Sequence, residues 1–176
     1  MNSTLTLLDS CIIDYAAKDA TRISCADLLS QLNKTHSLGI SLFTRFEAYR
    51  GTNNVTAGLI KSVFEHLGTA PVNKKCIDTA AALYTCYEKS ESIKPRLKSI
   101  SDGDILIGAS GFVFNTVIIT SNRDDFPSPF FTEKNHYEII KTSKKKNTST
   151  IIHITELSPN YKYFNQEIKN CYPTTK

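Results

Sequence analysis

No pair of cysteines in this chain stands at metal-site spacing. The five, Cys11, Cys25, Cys76, Cys86 and Cys171, are odd in number, with no CxxC and no Cys/His cluster. That excludes the usual zinc arrangements and argues for reduced, half-buried packing residues in a cytosolic protein. The four histidines, His36, His66, His136 and His153, are scattered, and none shares a metal-type spacing with another. They read as surface or packing residues. No Ser–His–Asp or Cys–His arrangement competes for a catalytic role. The opening stretch, MNSTLTLLDSCII, lacks a basic n-region and carries Asp9 inside its apolar run. It is expected to be neither a signal peptide nor a membrane span. The Asn-x-Ser/Thr triplets, Asn33-Lys34-Thr35 among them, then carry no meaning for glycosylation. No internal repeat is visible, and the one biased segment is a lysine-rich stretch at residues 141–146.

What is present fits a single soluble domain. A length of 176 residues allows an adequate core, and 40% hydrophobic with 22% charged residues is ordinary for a globular protein. The net charge of +4, from 21 basic and 17 acidic side chains, is a mild bias toward a nucleic-acid partner.

The apolar pattern sketches alternating strands and helices. Residues 5–8 suit a buried strand, and residues 10–17 a short helix. Residues 21–35 place Ile23, Leu28, Leu29 and Leu32 on one helical face, with Gly39 as the stop and a second strand at 40–43. Thr44 caps a helix through Tyr49, closed by Gly51. Asn54 or Thr56 opens another, in which Val55, Leu59, Val63 and Leu67 repeat at i+4 and Gly68 ends the run. Pro71 lies in a linker, 78–89 is helical, and Pro95 marks a break. Ser101 or Asp102 caps a helix over 104–114, and 117–120 reads as a parallel core strand. Pro127 and Pro129 make 126–132 a loop, and the lysine-rich stretch lies between elements. Residues 151–154 form a last strand at an edge. The sum is an α/β three-layer sandwich, a mostly parallel central sheet flanked by helices. The domain spans residues 1–156, and 157–176 form a polar tail, docked or loose.

Four acids stand where strands end or helices begin. Asp9, Glu47 and Asp125 follow apolar runs in TLTLLDSC, GISLFTRFEAYRG and TVIITSNRDDF, and Asp104 opens the helical run of KSISDGDILIGAS. In a parallel sheet these positions share one edge, the edge where open α/β folds bind ligands. Four carboxylates cannot share a small site as bare anions, and a hard divalent cation with oxygen ligands is the economical remedy. The pattern reads as a metal-dependent enzyme acting on something anionic. Structural roles compete. Thr44-x-x-Glu47 fits a capping box and Ser101-x-x-Asp104 approximates one. Asp9 suits a turn, and Asp125 lies in a polar loop beside Asp124. Capping explains two of the acids and leaves Asp9 and Asp125 unexplained.

These segments carry a family resemblance. LLDSCII resembles the opening strand motif of PIN-domain nucleases, and ISLFTRFEAYRG their second motif, in which a Glu on a helix is followed by Gly. DILIGAS resembles the third, with Gly108 where Ala is usual, and TSNRDDF the fourth. The small bacterial PIN proteins most similar are VapC-like toxins of toxin–antitoxin modules, which are magnesium-dependent endoribonucleases. The resemblance implies a PIN-like sandwich and a catalytic cluster of Asp9, Glu47, Asp104 and Asp125. Asp9, Asp104 and Asp125 would hold Mg²⁺ or Mn²⁺, with Thr120 and Asn122 as supporting polar residues. Asp102 and Asp124 leave the last two assignments open by one neighbour. The implied partners are an RNA substrate, a protein antitoxin and a second copy in a homodimer, with no membrane and a cytoplasmic location. Arg45, Arg50 and Arg123 are candidate RNA contacts, with Lys74, Lys75 and the lysine-rich stretch beside them. The segment after Phe126 is longer than in the compact toxins.

Three other readings use some of the same residues. A haloacid-dehalogenase phosphatase wants a second Asp two residues after the first, and Cys11 stands there. A receiver domain needs a Lys after its last strand that is not evident. A catalytically silent PIN-like module, binding RNA or protein, would keep the acids as caps.

Overall fold

The computed structural model describes residues 5–50, 52–143 and 147–172. Six strands form one mixed sheet: β1 (Leu5–Leu8), β2 (Ser37–Ser41), β3 (Gly68–Ala70), β4 (Val117–Thr120), β5 (Phe131–Ser143) and β6 (Thr148–Pro159). Their order is β3-β2-β1-β4-β6-β5. The first four run parallel, while β6 is antiparallel to β4 and β5 antiparallel to β6. The helices are α1 (Ser10–Ala17), α2 (Arg22–Leu32), α3 (Leu42–Tyr49), α4 (Asn54–Phe64), α5 (Lys74–Lys89), α6 (Asp102–Phe114) and α7 (Tyr161–Cys171). Short 3-10 turns occupy Lys94–Ser99 and Arg123–Asp125.

Alternation along the strands divides the core into two layers. Leu7, Ile118 and Leu157 pack with α5, α6 and α7 through Leu83, Tyr87, Ile107, Phe112 and Phe164. Leu8, Ile40, Ile119 and Ile154 face the other way, against Ile12, Leu28 and Ile60 of α1, α2 and α4. The three-layer sandwich expected from the sequence is therefore present. Among the described residues no helix is long and apolar enough to cross a membrane.

Several boundaries differ from the sequence reading, each for a physical reason. The second strand begins at Ser37 and ends at Ser41, so Leu42 and Phe43 open α3 instead of closing β2. Gly39 and Gly68 are strand residues, not helix stops. They face each other across β2 and β3, where a Cβ on Gly39 would lie 2.7 Å from Leu5 Cδ1 and 2.9 Å from the Gly68 carbonyl oxygen. Helix α5 starts one turn early because Asn73 caps it, accepting from the Cys76 N–H at 3.0 Å. The 13-residue strand β5 takes in residues 131–132, read as the end of a loop, and 141–143, read as lying between elements, and runs unbroken from one to the other. β5 is the edge, and β6, read as an edge, lies inside the sheet. Helix α2 and the turn before it cover part of the β5 edge, as Ser24 Oγ accepts from the Ile140 N–H and the Ala20 carbonyl from the Thr142 N–H. Gly51 and Lys144 to Lys146 lie outside the described residues. Residues 157–159 complete β6, and α7 buries Phe164 and Cys171 against the body of the domain.

Candidate active site

Parallel pairing of β1 with β4 places Leu8 beside Ile119, so both strands end at the same edge. Asp9 leaves the end of β1 and caps α1. Its Oδ1 accepts from the Ser10 N–H at 2.6 Å, and its Oδ2 accepts from the Thr120 hydroxyl at 2.7 Å and the Cys11 thiol at 3.2 Å. Its carboxylate is 1% exposed. Four donors hold it, because the Ser10 hydroxyl also lies 3.3 Å from Oδ1. Thr120 Oγ1 in turn accepts from the Asn122 N–H at 2.8 Å. Thr120 touches Asp9 directly, while Asn122 acts one bond further out, through its backbone.

Glu47 is where sequence and structure differ most usefully. Thr44 does not cap α3. Ser41 does, accepting from the Thr44 N–H at 3.0 Å, so no capping box engages Glu47. The carboxylate sits in the last turn of α3, outside any cap. Its Oε2 is buried and makes no hydrogen bond. Burial, then the charges of Asp104 and Asp9, push its pKa above the usual range, against a smaller pull from Ser10 and Arg50. Gly103 makes the room: a Cβ there would lie 2.6 Å from Glu47 Oε1 and 2.5 Å from Phe43 Cε1.

Asp104 completes the capping box that the sequence only approximates. Oδ2 accepts from the Ser101 N–H at 3.0 Å and the Ser101 hydroxyl at 2.7 Å, and the Asp104 N–H donates back to Ser101 Oγ. All these bonds use one oxygen or the backbone. Burial raises its pKa, Ser101 lowers it, and the Asp9 charge raises it again. Asp125 is carried by the 3-10 turn after β4. Burial, followed by Asp104, Asp9 and Asp124, raises its pKa to about 6. Four segments distant in sequence thus bring Glu47, Asp104 and Asp125 within reach of the Asp9 charge, and Glu47 and Asp125 within reach of Asp104.

Their neighbours face elsewhere. Asp124 is exposed and pairs with Arg96 at 3.4 Å and Arg123 at 3.9 Å, and Asp102 lines an α5–α6 surface with Ile77 and Tyr84. Among the described residues, no three His, Cys, Asp or Glu side chains stand close enough together to hold a metal ion. What the cluster offers a divalent cation is donor chemistry and electrostatics: an all-oxygen set, raised pKa values at Glu47, Asp104 and Asp125, and the unpartnered Glu47 Oε2.

The proposed RNA contacts are partly occupied. Arg45 lies over the Phe64 ring, 5.1 Å from its centroid, and lines a concavity with Leu42, Phe46, Tyr49 and Arg50. Arg123 pairs with Glu133 as well as Asp124. Lys74 pairs with Asp78 one turn along α5, and Lys75 is exposed beside it. Sequence reasoning missed Ser10, Arg96 and Gly103. Gly103 had a visible signal, a glycine between two acids at a helix start.

No family model and no curated protein matches this sequence. Among solved structures, one chain in the crystal structure of VapBC2 from Rickettsia felis, bound to a DNA fragment from their promoter, superposes with a TM-score of 0.58. The fold is shared. The alignment covers 69% of this chain and 90% of that one, at 21% identity. This likeness supports the PIN-like architecture implied by the four motifs, and at that identity it speaks for the fold alone.

The raised Asp125 pKa has a measurable consequence. Its folded carboxyl binds a proton more tightly than the unfolded chain does, so this stabilisation is present at low pH and lost as pH rises through about 6. With chelator present, Asp125→Asn should match wild type near pH 4 and become the more stable protein near pH 7, each pH being about the limit of the window. Urea midpoints across that interval test it. A difference that stays flat, or favours wild type as pH rises, contradicts the coupling.

Proposed function

We propose that this protein is a divalent-metal-dependent endoribonuclease and the toxin of a toxin–antitoxin pair. The observation that carries the reading is Glu47 Oε2, a buried oxygen without a hydrogen-bond partner on a half-buried carboxylate that no cap engages and whose pKa is raised by burial, then by the charges of Asp104 and Asp9. A domain that used its acids only as caps would gain nothing from it. The four-motif resemblance and the fold shared with the VapBC2 chain supply the toxin context.

Asp9, Asp104 and Asp125 would hold Mg²⁺ or Mn²⁺, which when bound supplies charge neutralisation at phosphoryl oxygens and a more acidic water. The chain's own contributions follow from its geometry. Ser10 and Thr120 fix both oxygens of Asp9, so the carboxylate is presented in one orientation. Glu47 Oε2, desolvated and unpartnered, takes up the proton lost by the attacking water. Arg45 on the helix that carries Glu47 and Arg50 at that helix's C-cap receive backbone phosphates, and Arg123 joins them by exchanging its carboxylate partners. The reading extends to a homodimer, for which exposed Leu42, Phe46 and Val55 on α3 and α4 offer apolar surface, and to action in the cytoplasm.

A second reading has its own support. Asp9 and Asp104 both serve as caps, which suits a catalytically silent PIN-like module binding RNA or protein. Cleavage of single-stranded or looped RNA separates the two. The nuclease cuts only when Mg²⁺ or Mn²⁺ is present. Cutting undiminished by excess chelator sinks the metal chemistry, and the lack of any cutting with either ion favours the silent module.

A further inference from the structure

Two thiols meet between α5 and the C-terminal helix. Cys86 Sγ and Cys171 Sγ lie 3.7 Å apart, and both residues are buried. The other three sulfurs each face a different group: Cys11 the Asp9 carboxylate, Cys25 the Ile12 carbonyl at 3.6 Å, and Cys76 the Pro71 carbonyl at 3.7 Å. The pair is also held in register by its surroundings. Lys89 Nζ donates to the Cys171 carbonyl at 2.9 Å, the Tyr172 hydroxyl lies 3.1 Å from Thr85 Oγ1, and Lys89 Nζ stands 5.9 Å from the Tyr172 ring centroid. Against a bonded S–S distance of about 2.05 Å, the sulfurs need to close by about 1.7 Å.

We propose that Cys86 and Cys171 form a two-thiol oxidation site whose disulfide staples α7 to α5. This inference is independent of the nuclease reading. The oxidant is a low-molecular-weight disulfide of the glutathione class. One protein thiolate attacks a sulfur of the oxidant, releasing one reduced thiol and leaving a mixed disulfide. The second protein thiolate then attacks the protein sulfur of that mixed disulfide, forming the Cys86–Cys171 bond and releasing the second reduced thiol. The two protons of the protein thiols end on the two released thiols, and two electrons pass from protein to oxidant.

Accessibility sets the rate. Burial, reinforced by Cys171, pushes the Cys86 thiol up to about 12, so little thiolate exists while α7 is docked. Reaction follows transient undocking of α7, which holds to the core through Phe164 on Phe112 and Phe130, Tyr161 on Phe112 and Tyr163 on Phe130. Once formed, the bond closes a long loop from residue 86 to residue 171, which restricts the unfolded chain strongly.

The test uses the reduced full-length protein and excess oxidised glutathione. Thiols counted after denaturation should fall from the five of the sequence by two. Non-reducing peptide mapping should join the Cys86 peptide to the Cys171 peptide, and Tm should rise by about 5 °C or more over the reduced protein. Cys171→Ser, at the helix end, should abolish the link and the Tm rise, and the mapping on wild type needs no variant to fold. Persistence of all five thiols, glutathione adducts without the internal link, a different cysteine pairing, or a linked protein that melts no higher than the reduced one would each overturn the proposal.

Discussion

Asp9→Asn should lower RNA cleavage by about a hundredfold or more, a loss larger than removal of a metal site's outer partners causes. It should leave the metal-free fold close to wild-type stability. The asymmetry follows from the bonds Asp9 makes. An Asn at this position keeps an oxygen to accept from the Ser10 N–H, so the α1 cap survives. Its amide NH₂ then points at Thr120 Oγ1, an oxygen that already accepts from the Asn122 N–H and can accept once more. What disappears is the negative charge and one metal-binding oxygen. Removing that charge also relieves Glu47, Asp104 and Asp125, each of which Asp9 raises. Asp9→Ala is different: it removes the cap and strands the buried Thr120 hydroxyl, at a cost of about 1–3 kcal/mol. Cleavage assays beside urea unfolding of both variants check the pair. Full activity in Asp9→Asn would return this residue to a capping role alone.

The second large effect is expected at a residue that carries no functional group. Gly103→Ala should cut activity about tenfold or more, as small misplacements of a reacting group do. It should destabilise the protein by about 1–3 kcal/mol through overpacking. The added Cβ would overlap the Glu47 carboxylate and the Phe43 ring together, and Phe43 is braced by Phe46 at a centroid distance of 5.6 Å. Glu47 has to leave its place beside Asp104 and Asp9. A control lies on α4. Nothing stands within 4 Å of a Cβ built on Gly58, so Gly58→Ala should stabilise by about 0.5–1 kcal/mol through helix propensity and leave cleavage unchanged. Equal behaviour of the two alanine variants would show that the space around Glu47 has no functional meaning.

The parts of this fold that were legible in the sequence are those where local signals and tertiary packing agree. The apolar run of β1, the Ser101 cap of α6 and the β-branched run of β4 each announce one element, and each is found there. Asp9, Asp104 and Asp125 go with these elements, which is why their common position at the sheet edge was legible before their neighbourhood was visible. The difficult parts share a different cause. Strand β5 buries few of its 13 residues, among them Phe131 and Ile139, because it is an edge strand with one face largely in water. Its sequence, FTEKNHYEIIKTS, looks like a solvated linker until β6 pairs with it. Gly39 and Gly68 mimic helix stops, yet both are strand residues, and Gly39 is small because Leu5 and the Gly68 carbonyl approach it closely. Ser41 and Thr44 are both acceptable caps three residues apart. The choice falls to Ser41 because pairing with Ala70 holds the end of β2 there. That choice changes the meaning of Glu47, and no local pattern could have made it.

As proposed above, the carboxylates at this sheet edge would together hold a divalent metal ion. The most direct test is a set of paired melting curves for wild type and Asp9→Asn, with chelator and with added Mg²⁺ or Mn²⁺. A cation that binds only the folded state raises its stability by mass action. Wild-type Tm should rise clearly with metal, and that of Asp9→Asn little or not at all. No rise in wild type, or an equal rise in both proteins, would contradict the proposal.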